Sequence, residues 1–326
     1  VTGSEVACVG ETMVVLAPDG APLERADRLA VGIGGAESNV AMGLARLGHR
    51  AAWVSRVGDD PFGHRVCREV AAAGVRTLVA TDPEAPTGVY LKDPGPGGTA
   101  VHYYRAGSAA SRLGPDALDD PRLAGIRLLH LTGITPALSP SCRALVERAV
   151  TARPLPGARV SFDVNHRPRL WPADRAADVL RGLADRADVV LVGLDEADRL
   201  WRTADPAAVR AVLPGPELVV VKDGAAGATA LPRTGPPVGV PALAVPVVEP
   251  VGAGDAFAAG FLSGLLRGRD LVACLRLGHL AAASAMTVPG DHAPPPDRDA
   301  IAHRLALPPD DWAALGQNLD SGRSGR

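Results

Sequence analysis

Short runs of consecutive apolar residues alternate along this chain with longer stretches whose apolar positions recur every three or four residues. Val6–Val9, 52–57, 128–131, Arg159–Asp163, 189–192 and 218–221 show the first pattern, expected of strands covered on both faces. The second pattern predicts helices over 37–47, 62–73, 139–152, 172–184, 206–213, 254–267 and 270–287. In 254–267, Phe257, Phe261 and Leu265 share one face, and a further strand is predicted just before it, over 242–248. Strand–helix alternation of this kind predicts an α/β fold with a mostly parallel central sheet flanked by helices.

Two segments depart from the rhythm. Residues 11–33 and 86–105 hold short alternating strands and turns but no good helix. Within the second, 87–92 and 99–105 flank Asp93-Pro94-Gly95-Pro96-Gly97-Gly98, a turn-rich connection. They predict a small β-sheet beside the main body, serving as a lid or an interface. The expected division is one domain over 1–315 with a flexible polar tail over 316–326.

Composition narrows the function. Of 326 residues, 47% are hydrophobic and 21% charged, as in a globular protein. A net charge of −2 argues against a general nucleic-acid binder. No apolar run approaches a membrane span, and the chain shows no secretion-signal pattern, so a cytoplasmic location is expected. Cys8, Cys67, Cys142 and Cys274 are widely spaced, which fits reduced thiols better than a zinc site. Lysine occurs only at Lys92 and Lys222, and tyrosine only at Tyr90, Tyr103 and Tyr104, all three inside the predicted lid.

Four clusters could carry chemistry. Gly34-Gly35-Ala36-Glu37-Ser38-Asn39 opens a helix; the glycines admit a ligand to the backbone, or form a plain turn, and Ser38 or Asn39 can cap the helix. Gly252-Ala253-Gly254-Asp255 precedes the helix bearing Phe257, where free amides would make an anion hole. Asp255 could take a proton from an attacking hydroxyl there, or merely cap the helix. Asp163-Val164-Asn165-His166-Arg167 ends a strand, where ligands bind in open α/β sheets, although a solvated polar loop reads equally well. Val219 to Ala228 reads as strand, glycine turn and strand, and a bare hairpin accounts for it alone.

In this order and spacing the clusters resemble the ribokinase-like (PfkB) carbohydrate kinase family, from about Val6 to Leu305. The paired Gly34-Gly35 and Gly252-Ala253-Gly254-Asp255 segments carry the resemblance. Tyr103-Tyr104-Arg105, Asp163-Val164-Asn165-His166-Arg167 with Leu170-Trp171, His130-Leu131-Thr132-Gly133 and Gly290-Asp291-His292 are most similar to 2-keto-3-deoxygluconate kinases. The resemblance implies a ribokinase-like fold with a β-sheet lid, ATP and Mg²⁺ as cofactors, and a homodimer paired through the lids. It implies Asp255 as general base and Gly252, Ala253 and Gly254 as anion hole. Gly34, Gly35, Asn39, Tyr90, Tyr103, Tyr104, Arg105, Arg167 and Asp291 would meet the sugar. Asn165, Lys222, Gly224 and Gly227 would lie along the nucleotide. Where the family has Asp-Thr this chain has Glu249-Pro250, and its Asn-x-x-Glu becomes Gly193-Leu194-Asp195-Glu196. Glu196 would then organise Mg²⁺ through water, or cap the next helix.

Arg105 and Arg167 near one pocket favour a sugar acid, whose carboxylate an arginine can clamp. A neutral-sugar or nucleoside kinase, and a non-catalytic sensor on the same fold, are the alternatives.

Overall fold

The computed structural model describes residues 3–95, 98–248, 251–287 and 298–318. The strands are β1 (Val6–Val9), β2 (Met13–Pro18), β3 (Leu29–Gly34), β4 (Ala51–Gly58), β5 (Arg76–Asp82), β6 (Val89–Gly95), β7 (Gly98–Tyr104), β8 (Leu128–Thr132), β9 (Arg159–Asp163), β10 (Val189–Gly193), β11 (Leu218–Asp223), β12 (Gly227–Pro232) and β13 (Val238–Val240). Nine of them form one sheet in the order β13-β12-β11-β10-β9-β8-β1-β4-β5, in which β12 alone runs against the others.

Successive residues of a strand point to opposite faces, and both faces are covered here. Val6, Cys8, Val189 and Leu191 pack under the helices Ala36–Arg46, Ala253–Leu266 and Leu271–Met286. Ala7, Val9, Val190 and Val192 pack under Pro140–Thr151, Ala173–Ala184 and Pro206–Val212. Two cores on one sheet explain the unbroken apolar runs. Cys8, Cys142 and Cys274 are buried free thiols, and Cys67 is half-buried. Among the described residues no helix is long and apolar enough to cross a membrane.

The two irregular segments form a separate sheet, β3-β2-β6-β7, close to the bounds expected for the lid. Its hairpin pairs Tyr90 with Tyr103. The strand expected over 242–248 does not form. The sheet stops at Val240, because Pro241 and Pro246 cannot donate to a ladder. β5 had no apolar run to reveal it; an edge strand keeps polar Arg76, Thr77 and Thr81. A helix runs over Pro309–Asn318, taking in the first three residues expected for the tail, and 319–326 lie outside the described residues. Trp312 anchors the helix, 1% exposed, donating to Pro241 O at 3.0 Å with Arg276 stacked 4.9 Å above its ring.

At the end of the sheet away from the lid, a second polar cluster joins three elements. His49 Nδ1 lies 2.7 Å from Glu5 Oε1, and Nε2 lies 2.9 Å from Ser263 Oγ and 2.6 Å from Arg267 Nη1. A guanidinium only donates, so Nε2 is the acceptor and the ring proton sits on Nδ1, facing Glu5.

Candidate active site

A cleft of about 480 Å³ opens between the lid and the carboxyl ends of β1, β9, β10 and β11. On its floor is the first turn of the helix Ala253–Leu266. Gly252, just before it, has φ +84°, a left-handed conformation that glycine takes without strain. As the N-cap, Gly252 offers no side chain to this helix end, and amides at a helix start are suited to an anion. Asp255 lies in that turn and accepts from Asn39 Nδ2 at 2.9 Å. Burial pushes its carboxyl up to about 7, with Asp163 adding to the rise; Asn39, Arg167 and Lys222 oppose it.

The wall beside Asp255 is built on β9, β10 and β11. Lys222, at the end of β11, pairs with Asp163 at the end of β9, Nζ to Oδ2 2.9 Å. Burial alone would lower the Lys222 ammonium, but Asp163, Glu196 and Asp255 together raise it. Glu196, on the next helix, accepts from the amides of His166 and, at 3.2 Å, Gly193. It thereby fastens two strand ends and caps its own helix. Burial, reinforced by Asp163, lifts Glu196 to about 7. Asn165 takes φ +40°, and its buried Oδ1 has no hydrogen-bond partner among the described residues.

The opposite wall belongs to the lid. Met13, Tyr90, Lys92, Val101 and Tyr103 face the cleft, and the Tyr90 and Tyr103 rings sit 5.7 Å apart. Arg105 crosses from β7 to the core, ion-paired with buried Glu11 and 5.7 Å from the Tyr103 ring. Glu11 also accepts from Ser108 Oγ at 2.5 Å. Arg167 lines the cleft and, among the described residues, makes no ion pair.

Gly34, Gly35, Asn39, Tyr90, Tyr103, Arg105, Asn165, Arg167, Glu196, Lys222, Gly252, Gly254 and Asp255 thus line one cleft, with Ala253 starting the helix beneath. Other expected residues fall elsewhere. Tyr104 is 69% exposed on the far face of the lid, because strand neighbours alternate. Gly224 and Gly227 lie outside the cleft lining; a Cβ on Gly227 would come within 2.3 Å of Val240 O, so close strand packing accounts for that glycine. A Cβ on Gly35 would come within 2.3 Å of Glu11 O, so this glycine serves the fold as much as a ligand. Neither Ser38 nor Asn39 caps the first helix: Ser38 Oγ donates to Gly35 O and Asn39 reaches Asp255. Asp291 and Glu249-Pro250 lie outside the described residues. Glu11 and Arg199 line the cleft without having been singled out, and Asp163, Lys92 and Asp195 line it although they were named without a role in the site. Only Asp163 carried a signal, its place as the charged last residue of an apolar strand.

No cluster of three metal-binding side chains occurs among the described residues. Magnesium that arrives on phosphate oxygens needs no such cage, only one or two carboxylates reached directly or through water. Asp163 and Glu196 on the cleft wall, with the unpartnered Asn165 oxygen, fit that demand.

Known proteins place this architecture. Residues 4–298 match the model of the pfkB family carbohydrate kinases. A 2-dehydro-3-deoxygalactonokinase of Haloferax volcanii is 35% identical over 295 residues, 88% of this chain and 92% of that protein. A 2-dehydro-3-deoxygluconokinase of Bacillus subtilis is 35% identical over 305 residues, 91% and 94% of the two chains. The crystal structure of a PfkB protein from Polaromonas superposes with a TM-score of 0.82 at 35% identity, covering 94% of this chain and all of that one. With a family match over most of its length and relatives of this similarity, the chain belongs to the pfkB family of carbohydrate kinases.

Proposed function

We propose that this carbohydrate kinase transfers the γ-phosphate of ATP to a hydroxyl of a 2-keto-3-deoxy sugar acid, most closely 2-keto-3-deoxygluconate. One arrangement carries the reading: the Asp255 carboxyl, pushed up to about 7 by burial, stands in the first turn of a buried helix behind Gly252, on the floor of a cleft roofed by tyrosines. Asp255 takes the proton of the attacking hydroxyl, and a pKa near the working pH suits that task. The amides of Gly252, Ala253 and Gly254 receive the charge on the transferring group. Asn39 holds the Asp255 carboxylate in place.

On the sugar side, Gly34, Gly35, Tyr90 and Tyr103 contact hydroxyls and the carbon skeleton. Arg105 is already neutralised by Glu11 and orients hydroxyls, so the carboxylate clamp falls to Arg167. Asn165 and Lys222 meet the nucleotide phosphates, and the hairpin turn at Gly224 and Gly227 continues that surface. Mg²⁺ bound with ATP would neutralise phosphate charge, and Asp163 and Glu196 would hold it. The names of the Haloferax and Bacillus relatives, both kinases of 2-dehydro-3-deoxy sugar acids, support the acid substrate.

The reading includes a homodimer formed through the lids, whose outer face exposes Val31 and Tyr104. Solution scattering at micromolar concentration should give twice the 33.4 kDa chain mass; a monomer rejects the pairing. ADP release measured across sugar acids, neutral sugars and nucleosides tests the substrate. Turnover should be highest on 2-keto-3-deoxygluconate or its galactonate epimer, and preference for a neutral sugar overturns the acid assignment.

A further inference from the structure

The lid presents two edge strands, β3 and β7, each with carbonyls that no neighbouring strand pairs. An arginine from the main body reaches one carbonyl on each edge. Arg65, on the helix Pro61–Ala72, donates from Nη2 to Val31 O of β3 at 2.7 Å and is fixed by Glu69, Nε to Oε1 2.7 Å. Arg169, in the segment after β9, donates from Nη1 to Val101 O of β7.

The two ties differ in what lies behind them. Arg65 stands on a regular helix away from the cleft. Arg169 stands in a tight turn closed by Leu170 N to Arg167 O at 2.8 Å and Trp171 N to Arg167 O at 3.4 Å. That turn also presents Arg167 to the cleft, while Val101 lines the cleft from the lid. A single short segment therefore touches both the ligand space and the free edge of its roof.

We propose that Arg169 is a positioning residue that latches the lid, coupling engagement of an anionic substrate group by Arg167 to closure of β7. The coupling rests on the sugar-acid reading; the latch itself does not. Arg65 is the static tie at the other edge and serves as the internal control.

The test compares Arg169→Met, Arg169→Lys and Arg65→Met in the full chain. Amide hydrogen exchange of residues 98–104 in the ligand-free protein reports the latch whatever the substrate. Exchange there should speed up in Arg169→Met, recover in part in Arg169→Lys, and stay at the wild-type rate in Arg65→Met. Unchanged exchange in Arg169→Met overturns the proposal. With 2-keto-3-deoxygluconate, Arg169→Met should raise the sugar KM about 3- to 10-fold, the worth of one hydrogen bond, and leave kcat within about twofold. It should also raise the share of ATP hydrolysed without sugar phosphorylation, because a loose roof admits water. An equal change in KM and coupling in Arg65→Met would make the effect general lid loosening and reject the special role of Arg169. If wild type fails to phosphorylate the sugar acid while exchange responds as stated, the substrate reading falls and the latch stands.

Discussion

The helix Ala253–Leu266 carries an ionisable cluster at each end, and the two ends behave differently. Near its carboxyl end, Ser263, His49 and Glu5 stand in the serine–imidazole–carboxylate order of a hydrolytic triad, with contacts of 2.9 and 2.7 Å. Yet Ser263 is fully buried, and Arg267 fills the outer side of the imidazole. At its amino end, Asp255 has one side-chain hydrogen-bond partner among the described residues and faces a cleft. Good hydrogen-bond geometry therefore marks the cluster that holds the protein together. Spare bonding capacity beside open space marks the one suited to chemistry.

That contrast can be broken most sharply at Asp255. Asp255→Asn should lower turnover about 10²- to 10⁴-fold, whereas His49→Gln should leave turnover within a few-fold; a coupled ADP assay decides. Comparable losses in both variants would erase the distinction. Next in size is Arg167→Ala, expected to weaken a sugar acid about 10- to 100-fold in kcat/KM and a neutral sugar much less, in steady-state kinetics on both. Equal losses would remove the carboxylate clamp.

Stability against pH sharpens the comparison further, because the two ends have opposite signs. The Asp255 pKa is raised from 3.8 to about 7 in the folded chain, so the folded state binds the extra proton between those values. Its contribution to stability is complete below about 4 and is lost as pH rises through about 7. Asp255→Asn should therefore melt higher than wild type at pH 8, by on the order of 1–3 kcal/mol, with the difference closing toward pH 4. Over the same range wild-type kcat/KM should rise with pH as Asp255 and Glu196 ionise. Glu5 is shifted the other way. Burial alone would raise it, but the hydrogen bond and charge of His49 and the Arg50 amide bring it below 4.5. Its stabilisation is present above that value and lost as pH falls through the folded pKa, so Glu5→Gln should cost about 0.5–1.5 kcal/mol near pH 7 and little in acid, by thermal melts.

The main sheet was legible because each of its central strands is covered twice and so cannot afford polar interruptions. The lid was legible through the opposite sign, two stretches lacking helical periodicity and punctuated by glycine and proline. β5 and β13 were hidden, since an edge strand and a proline-broken extended segment leave weak or misleading patterns. Within the site, Asp255 and Asn39 were found by motif, but their 2.9 Å contact joins positions 216 residues apart, which no local pattern encodes. The Glu11–Arg105 pair was missed for the same reason. An arginine in the sequence announces a positive charge, and only the fold shows a buried carboxylate beside it.

That pairing recurs around the cleft: Arg105 with Glu11, Arg199 with Asp195, Lys222 with Asp163. The cleft thus meets an incoming polyanion nearly charge-balanced instead of as a positive funnel. Long-range attraction, which salt would screen, contributes little to capture, and encounter rates should be nearly indifferent to ionic strength. A nucleotide entering such a cleft gains from bringing its own countercharge, so the metal complex should bind more tightly than the bare triphosphate.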